Sequence, residues 1–165
     1  MSWFDAPEDT RWRYEVTHDG AVGWMELQII EHSDGTTRSL LSGVLPEANE
    51  SSSQTIWWQV RDGEFHGWNA DGGVLVPLGI KRGESWIAGG NGLDGFLEGR
   101  LLGLVNRKVP AGRYTGVLHY QLRPQVGSAM SLDVFVHPRV GVVEVSGINA
   151  FGKPMTLLLQ SFERP

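Results

Sequence analysis

The sequence predicts an all-β protein: a single antiparallel meander of about ten strands, bent into a curved sheet, half-barrel or closed barrel. Three observations carry this. Asp-Gly pairs punctuate the chain, apolar side chains alternate between the punctuation marks, and no segment sustains a helical period.

The Asp-Gly pairs are Asp19-Gly20, Asp34-Gly35, Asp62-Gly63, Asp71-Gly72 and Asp94-Gly95. A tight hairpin turn needs positive φ at both central residues, which glycine tolerates fully and aspartate in part. Most of the spacings between them are strand-length.

The segments follow in order. In 11–17, Trp12, Tyr14 and Val16 share one face, with Arg13 and Glu15 on the other. In 23–31, Met25, Leu27 and Ile29 oppose Glu26 and Gln28; in 55–61, Ile56, Trp58 and Val60 oppose Gln59 and Arg61. Residues 113–122 place Tyr114, Leu118, Tyr120 and Leu122 together, with His119 and Gln121 opposite. Segments 131–137, 140–146 and 155–162 complete the set. The best helix candidate, 96–106, is interrupted by Gly99 and Gly103, each costing about 1 kcal/mol relative to alanine. Its continuation through Val109-Pro110 fits a strand entering a turn, so it is read as strand.

The chain reads as one β domain over 1–165, with an N-terminal arm at 1–10 and a polar, mobile loop at 43–53. Asn49-Glu50-Ser51 matches a glycosylation sequon, relevant only to a secreted protein. Antiparallel sheets of this size curl or close rather than expose long edges, and the 22 glycines suit such bending.

Composition excludes several function classes. The net charge of −5 and the absence of any basic run longer than Arg107-Lys108 argue against nucleic acid. With no cysteine, disulfides, thiolate metal sites and cysteine nucleophiles are excluded. No apolar stretch reaches the roughly 20 residues of a membrane span. The N-terminus lacks a basic region followed by an apolar run, so a cytoplasmic location is expected as the sequence stands, and a cell-envelope one if a leader has been removed.

No motif fixes a reaction. Gly90-Asn91-Gly92-Leu93-Asp94-Gly95 spells G-x-G-x-x-G, but a dinucleotide site needs a strand before it, a helix after it and a later acidic residue. Gly89 to Leu97 matches one calcium-binding nonapeptide, a motif that works only in stacked copies. No cofactor is expected. No G-x-S-x-G elbow occurs, and His18 and His32 lie beside Asp-Gly turns, where solvent is the expected neighbour. His119 and His137, with Asp133 four residues before the latter, are able to form a two-histidine, one-carboxylate set if their strands align.

The seven tryptophans are the most unusual feature. Trp57 and Trp58 must point to opposite faces because strand side chains alternate. Tryptophans fill cores, and they also line concavities that hold apolar or sugar-like ligands.

Several phrases occur together: Trp12-Arg13-Tyr14, Pro77 to Trp86 (PLGIKRGESW), Val109-Pro110-Ala111-Gly112-Arg113-Tyr114 and Pro138-Arg139-Val140-Gly141-Val142-Val143. In this order they resemble a broad group of bacterial β-rich domains of unknown function, many secreted or lipid-anchored. The phrases mark turns, and the resemblance implies a fold and transfers no catalytic residue.

The reading that follows is a non-enzymatic β domain binding a small apolar ligand, or a protein partner, in the hollow of a curved sheet. Trp57, Trp58, Trp68, Trp86 and Tyr120 are the candidate lining. The alternative is a small metalloprotein or hydrolase-type enzyme using His119, His137 and Asp133. A third is an assembly role through exposed strand edges, with the oligomeric state left open.

Overall fold

β1 (Arg11–His18) and β12 (Pro154–Glu163) pair antiparallel at the centre of the sheet, so the first and last strands meet. On one side follow β2 (Ala21–Ser33), β3 (Thr36–Val44), β4 (Ser52–Arg61), β5 (Glu64–Gly67) and β6 (Val74–Pro77). On the other come β11 (Gly141–Ile148), β10 (Ser131–His137), β9 (Gly112–Pro124), β8 (Leu97–Val109) and β7 (Ser85–Ala88). The computed structural model describes residues 5–44, 46, 51–61, 64–67, 74–77, 79–88, 97–124, 129–149 and 151–165, with backbone alone for 61, 64–67, 74–77 and 88. Among these residues twelve strands form one sheet, without an α-helix and so without a helix long and apolar enough to cross a membrane.

The connectivity forces the sheet to curl. Laid flat, twelve strands at about 4.8 Å spacing would span more than 50 Å. Yet its two edges, β6 and β7, are consecutive in sequence and joined only by residues 78–84, which reach about 25 Å when fully extended. The edges must therefore bend toward each other. No ladder joins them among the described residues, so the sheet is curved and open.

Two of the five expected Asp-Gly turns are in place. Asp19 and Gly20 have φ of 48° and 85°, Asp34 and Gly35 of 50° and 74°, the paired positive values of a two-residue hairpin. Asp62-Gly63, Asp71-Gly72, Asp94-Gly95 and the Gly90–Gly95 motif lie outside the described residues. Pro110-Ala111 links Val109 to Gly112, and residues 138–140 link His137 to Gly141. The segment 96–106 is strand, within β8. The loop expected over 43–53 is shorter, because Gly43 pairs with Ser52 and Ser42 with Ser53. Serine-rich sequence closes a ladder here because backbone pairing needs no apolar side chain.

Two cores form. The larger joins Trp12, Tyr14, Ile29, Ile56 and Trp58 to Val117, Phe135, Val143 and Leu159; the smaller joins Leu101, Tyr120 and Val136, with Trp86 packed against it. Phe135 and Val136 are adjacent and both buried, so alternation puts them on opposite faces of β10, one in each cluster. The β8–β9 hairpin supplies the second cover. A register shift between Leu101 and Gly103 moves its inward side chains from Leu101 and Tyr120 to partly buried Val105 and buried Val117, on the other face. Beyond it, Arg107 lies over the Phe135 ring at 3.6 Å and 3.5 Å from Glu144, and Ala111 N–H donates to Leu159 O at 3.0 Å. Trp12 Nε1 and Tyr14 Oη donate to the carbonyls of Val140 and Val142, tying β1 to the start of β11. Burial raises the Tyr14 pKa well above the usual phenol range, which keeps its hydroxyl a donor.

Candidate functional site

The first half of the sheet presents one apolar face built by alternation: Trp12 opposite Leu27, Leu27 opposite Leu41, and Ile29 opposite Ser39 opposite Ile56. Toward the β2–β3 turn, β2 carries one extra residue, since Ile29 pairs with Ser39 but Glu31 with Arg38. This bulge turns His32 to the face of its partner Thr37, whose own partner on β4 is Trp58.

Above this His32–Thr37–Trp58 row lies a recess of about 510 Å³, within the size range of small-molecule sites. Thr37 and Trp58 are its buried base; Asp5, Ser33, Asp34 and Val60 line it as exposed residues. A second hollow on the same face, lined by Met25, Leu41, Gly43 and Gln54, holds about 80 Å³. Buried Ile29, Ser39 and Ile56 stand between the two, so they do not merge.

His32 fixes one wall. Its Nε2 is 2.9 Å from Ala6 O and its Nδ1 3.0 Å from Thr37 Oγ1. A carbonyl only accepts, so Nε2 carries hydrogen, and a neutral ring then accepts the Thr37 hydroxyl at Nδ1. The arm is held further by Asp9 N–H to Ile29 O at 2.9 Å and by Gln28 Nε2 to Asp9 Oδ1 at 3.0 Å. Ala6 and Thr10 are fully buried as a result. Asp5 is thereby held at the mouth of the recess.

The tryptophan candidates are distributed between sites. Trp58 is 4% exposed at the base of the recess, whereas Trp57 is 47% exposed on the opposite face, beneath the Arg38 guanidinium at 5.7 Å. Trp86 and Tyr120 meet edge to face, centroids 5.4 Å apart, in the smaller core. Burial pushes the Tyr120 pKa up to about 12, so its phenol stays protonated. Trp68 lies outside the described residues. Trp86 packs so closely on β8 that a Cβ at Gly99 would sit 2.3 Å from its ring.

Of the histidine set, His119 Nε2 and Asp133 Oδ1 are 2.6 Å apart, and the imidazole stacks on Phe135 at 4.4 Å. His137 instead lies against the Tyr114 ring and accepts the Arg139 N–H at 3.3 Å. Burial, with the Arg139 charge, lowers its pKa. No cluster of three or more histidine, aspartate or glutamate side chains able to hold a metal occurs among the described residues.

Sequence reasoning placed His32 in solvent, and it is exposed, but its bonds to Ala6 and Thr37 were not foreseen, and Asp5, Asp34 and Thr37 were passed over. The signal was present in the turn: a two-residue Asp34-Gly35 bend makes Ser33–Thr36 and His32–Thr37 cross-strand pairs.

Comparison with protein-family models and with curated proteins gives no match. Among solved structures, a protein named as a lipoprotein from Parabacteroides distasonis aligns over 98% of both chains with a TM-score of 0.54 and 12% identity. MucB aligns with 97% of this chain but 54% of its own, at 12% identity, and a chain of the MucA/MucB complex of Pseudomonas aeruginosa aligns over 96% of this chain and 52% of its own, at 11% identity. This chain thus spans about half the length of each of these two chains, and a TM-score of 0.47 in both cases is too low to carry an argument. The likeness to the Parabacteroides protein establishes a shared fold alone.

Proposed function

We propose that this protein is a non-catalytic binding domain whose ligand is a small molecule seated in the recess over Trp58. The observation that carries the reading is the size and position of that recess: about 510 Å³ on the inward face, with a buried indole at its base. Trp58 and Val60 supply apolar surface, while Ser33, Thr36, Thr37 and the two aspartates supply polar groups. A ligand with an apolar body and a polar head matches that lining. Anchoring of the arm through His32 pre-organises one wall, which reduces the ordering cost of binding.

The test is a ligand-observed NMR screen of small organic molecules against the protein and its Val60→Trp variant. Val60 is an exposed residue of the lining, so a larger side chain there fills the recess without entering a packed core. Hits that Val60→Trp abolishes support the reading; hits that survive it, or none at all, reject it.

A further inference from the structure

We infer that the recess over Trp58 recognises a small organic cation, an ammonium group carried on an apolar body, an inference that rests on the binding reading above. Of the described aspartates, Asp9 accepts from Gln28, Asp19 pairs with Lys153 Nζ at 2.8 Å, and Asp133 pairs with His119. The two without a hydrogen-bond or ion-pair partner among the described residues are Asp5 and Asp34, and both line the recess.

Neither is placed there loosely. Asp34 occupies a left-handed position of a two-residue turn, and Asp5 precedes Ala6, whose carbonyl is bonded to His32. Among the described residues, the recess lining includes no lysine or arginine. Arg38, next to Thr37, projects to the other face, where it pairs with Glu31 and covers Trp57.

Two carboxylates without a partner among the described residues line a recess whose base is an indole. Aromatic faces attract cations, most strongly when water is excluded, and carboxylates attract the same charge. An anionic ligand would meet repulsion from both carboxylates. The hydroxyls of Ser33 and Thr36 accept N–H or O–H donors, and Val60 covers methyl or methylene groups.

The experiment is isothermal titration of the full chain with choline and with 3,3-dimethyl-1-butanol, its neutral isostere, alongside calcium chloride. The expected result is choline binding about ten-fold tighter than the alcohol, with most of that preference lost in Asp34→Asn and in Asp5→Asn. Asparagine tolerates the left-handed turn position, so Asp34→Asn keeps the hairpin. Equal affinity for the two compounds, abolished by Val60→Trp, would leave the site standing and overturn the cation inference. Binding of neither compound overturns it as well, and an empty small-molecule screen then rejects the site too. Heat from calcium alone would assign the carboxylates to a metal and also overturn the inference.

Discussion

His32 Nε2 lies 2.9 Å from the carbonyl oxygen of Ala6, a bond that ties the N-terminal arm to the end of β2. It joins residues 26 positions apart and helps place Asp5, like Asp34, in the lining of one recess. The same ring reaches Thr37 across the hairpin, so a single side chain connects arm, turn and wall.

Removing this ring should loosen the wall more than the fold. His32→Ala is expected to lower stability by about 1 kcal/mol, the usual net worth of a part-exposed hydrogen-bonded group. It should also make the arm before Thr10 sensitive to limited proteolysis. Urea unfolding and protease digestion measure the two effects. An arm as resistant as in the parent protein would mean that the backbone bonds of Asp9 suffice.

Ser39 gives the opposite expectation. It is fully buried between Ile29 and Ile56, and its hydroxyl has no hydrogen-bond partner among the described residues. An unsatisfied buried hydroxyl costs about 1–3 kcal/mol, so Ser39→Ala should raise the urea midpoint. A lowered midpoint would show that the hydroxyl is satisfied in solution.

Gly99 is required by Trp86, whose ring leaves no room for a Cβ. Gly99→Ala should displace the indole from Tyr120 and cost about 1–3 kcal/mol, in the manner of an overpacked core. Near-ultraviolet circular dichroism reports the aromatic pair directly. An unchanged spectrum at unchanged stability would contradict the packing.

His137 sets a pH dependence. Burial and the Arg139 charge lower its folded pKa beneath 6.5, so the unfolded chain binds more protons in the window just below that value. Stability from this group is therefore present above about pH 6.5 and is lost as pH falls toward the folded pKa. His137→Gln should flatten the decline of the melting temperature between about pH 7 and 5. An identical profile in both proteins would show that other groups control it.

Much of the fold was legible, because it depends on local chemistry. Trp12, Tyr14 and Val16 alternate in β1 as their sequence requires, and β10 has the bounds read from its pattern. β3 was harder to see, since Thr36–Val44 mixes serines with adjacent Leu40 and Leu41 and shows no clean period. β5, β6 and β7 are four residues each, too short for any period to register.

The candidate site was legible only in part. Trp58 stood out by residue type, but its separation from Trp86 and Tyr120 depends on which face each strand buries. The register shift at Leu101/Gly103, which exchanges those faces within one hairpin, has no signature beyond a glycine. His119 and Asp133 met as expected because adjacent strands bring them into reach; His137 is on the same face but farther along β10. The recess itself arises from a bulge at Ile30 and an arm folded back on β2, both consequences of tertiary packing.

A titration of isotope-labelled protein with choline, followed by nitrogen–proton NMR, asks where a ligand sits. The Trp58 indole signal, assigned by its loss in Trp58→Phe, and the amides of Ser33 to Thr37 should move together, while the Trp86 indole stays fixed. Shifts centred on Trp86 and Tyr120, or none near Trp58 with any ligand that binds, would contradict a site at the β2–β3 turn.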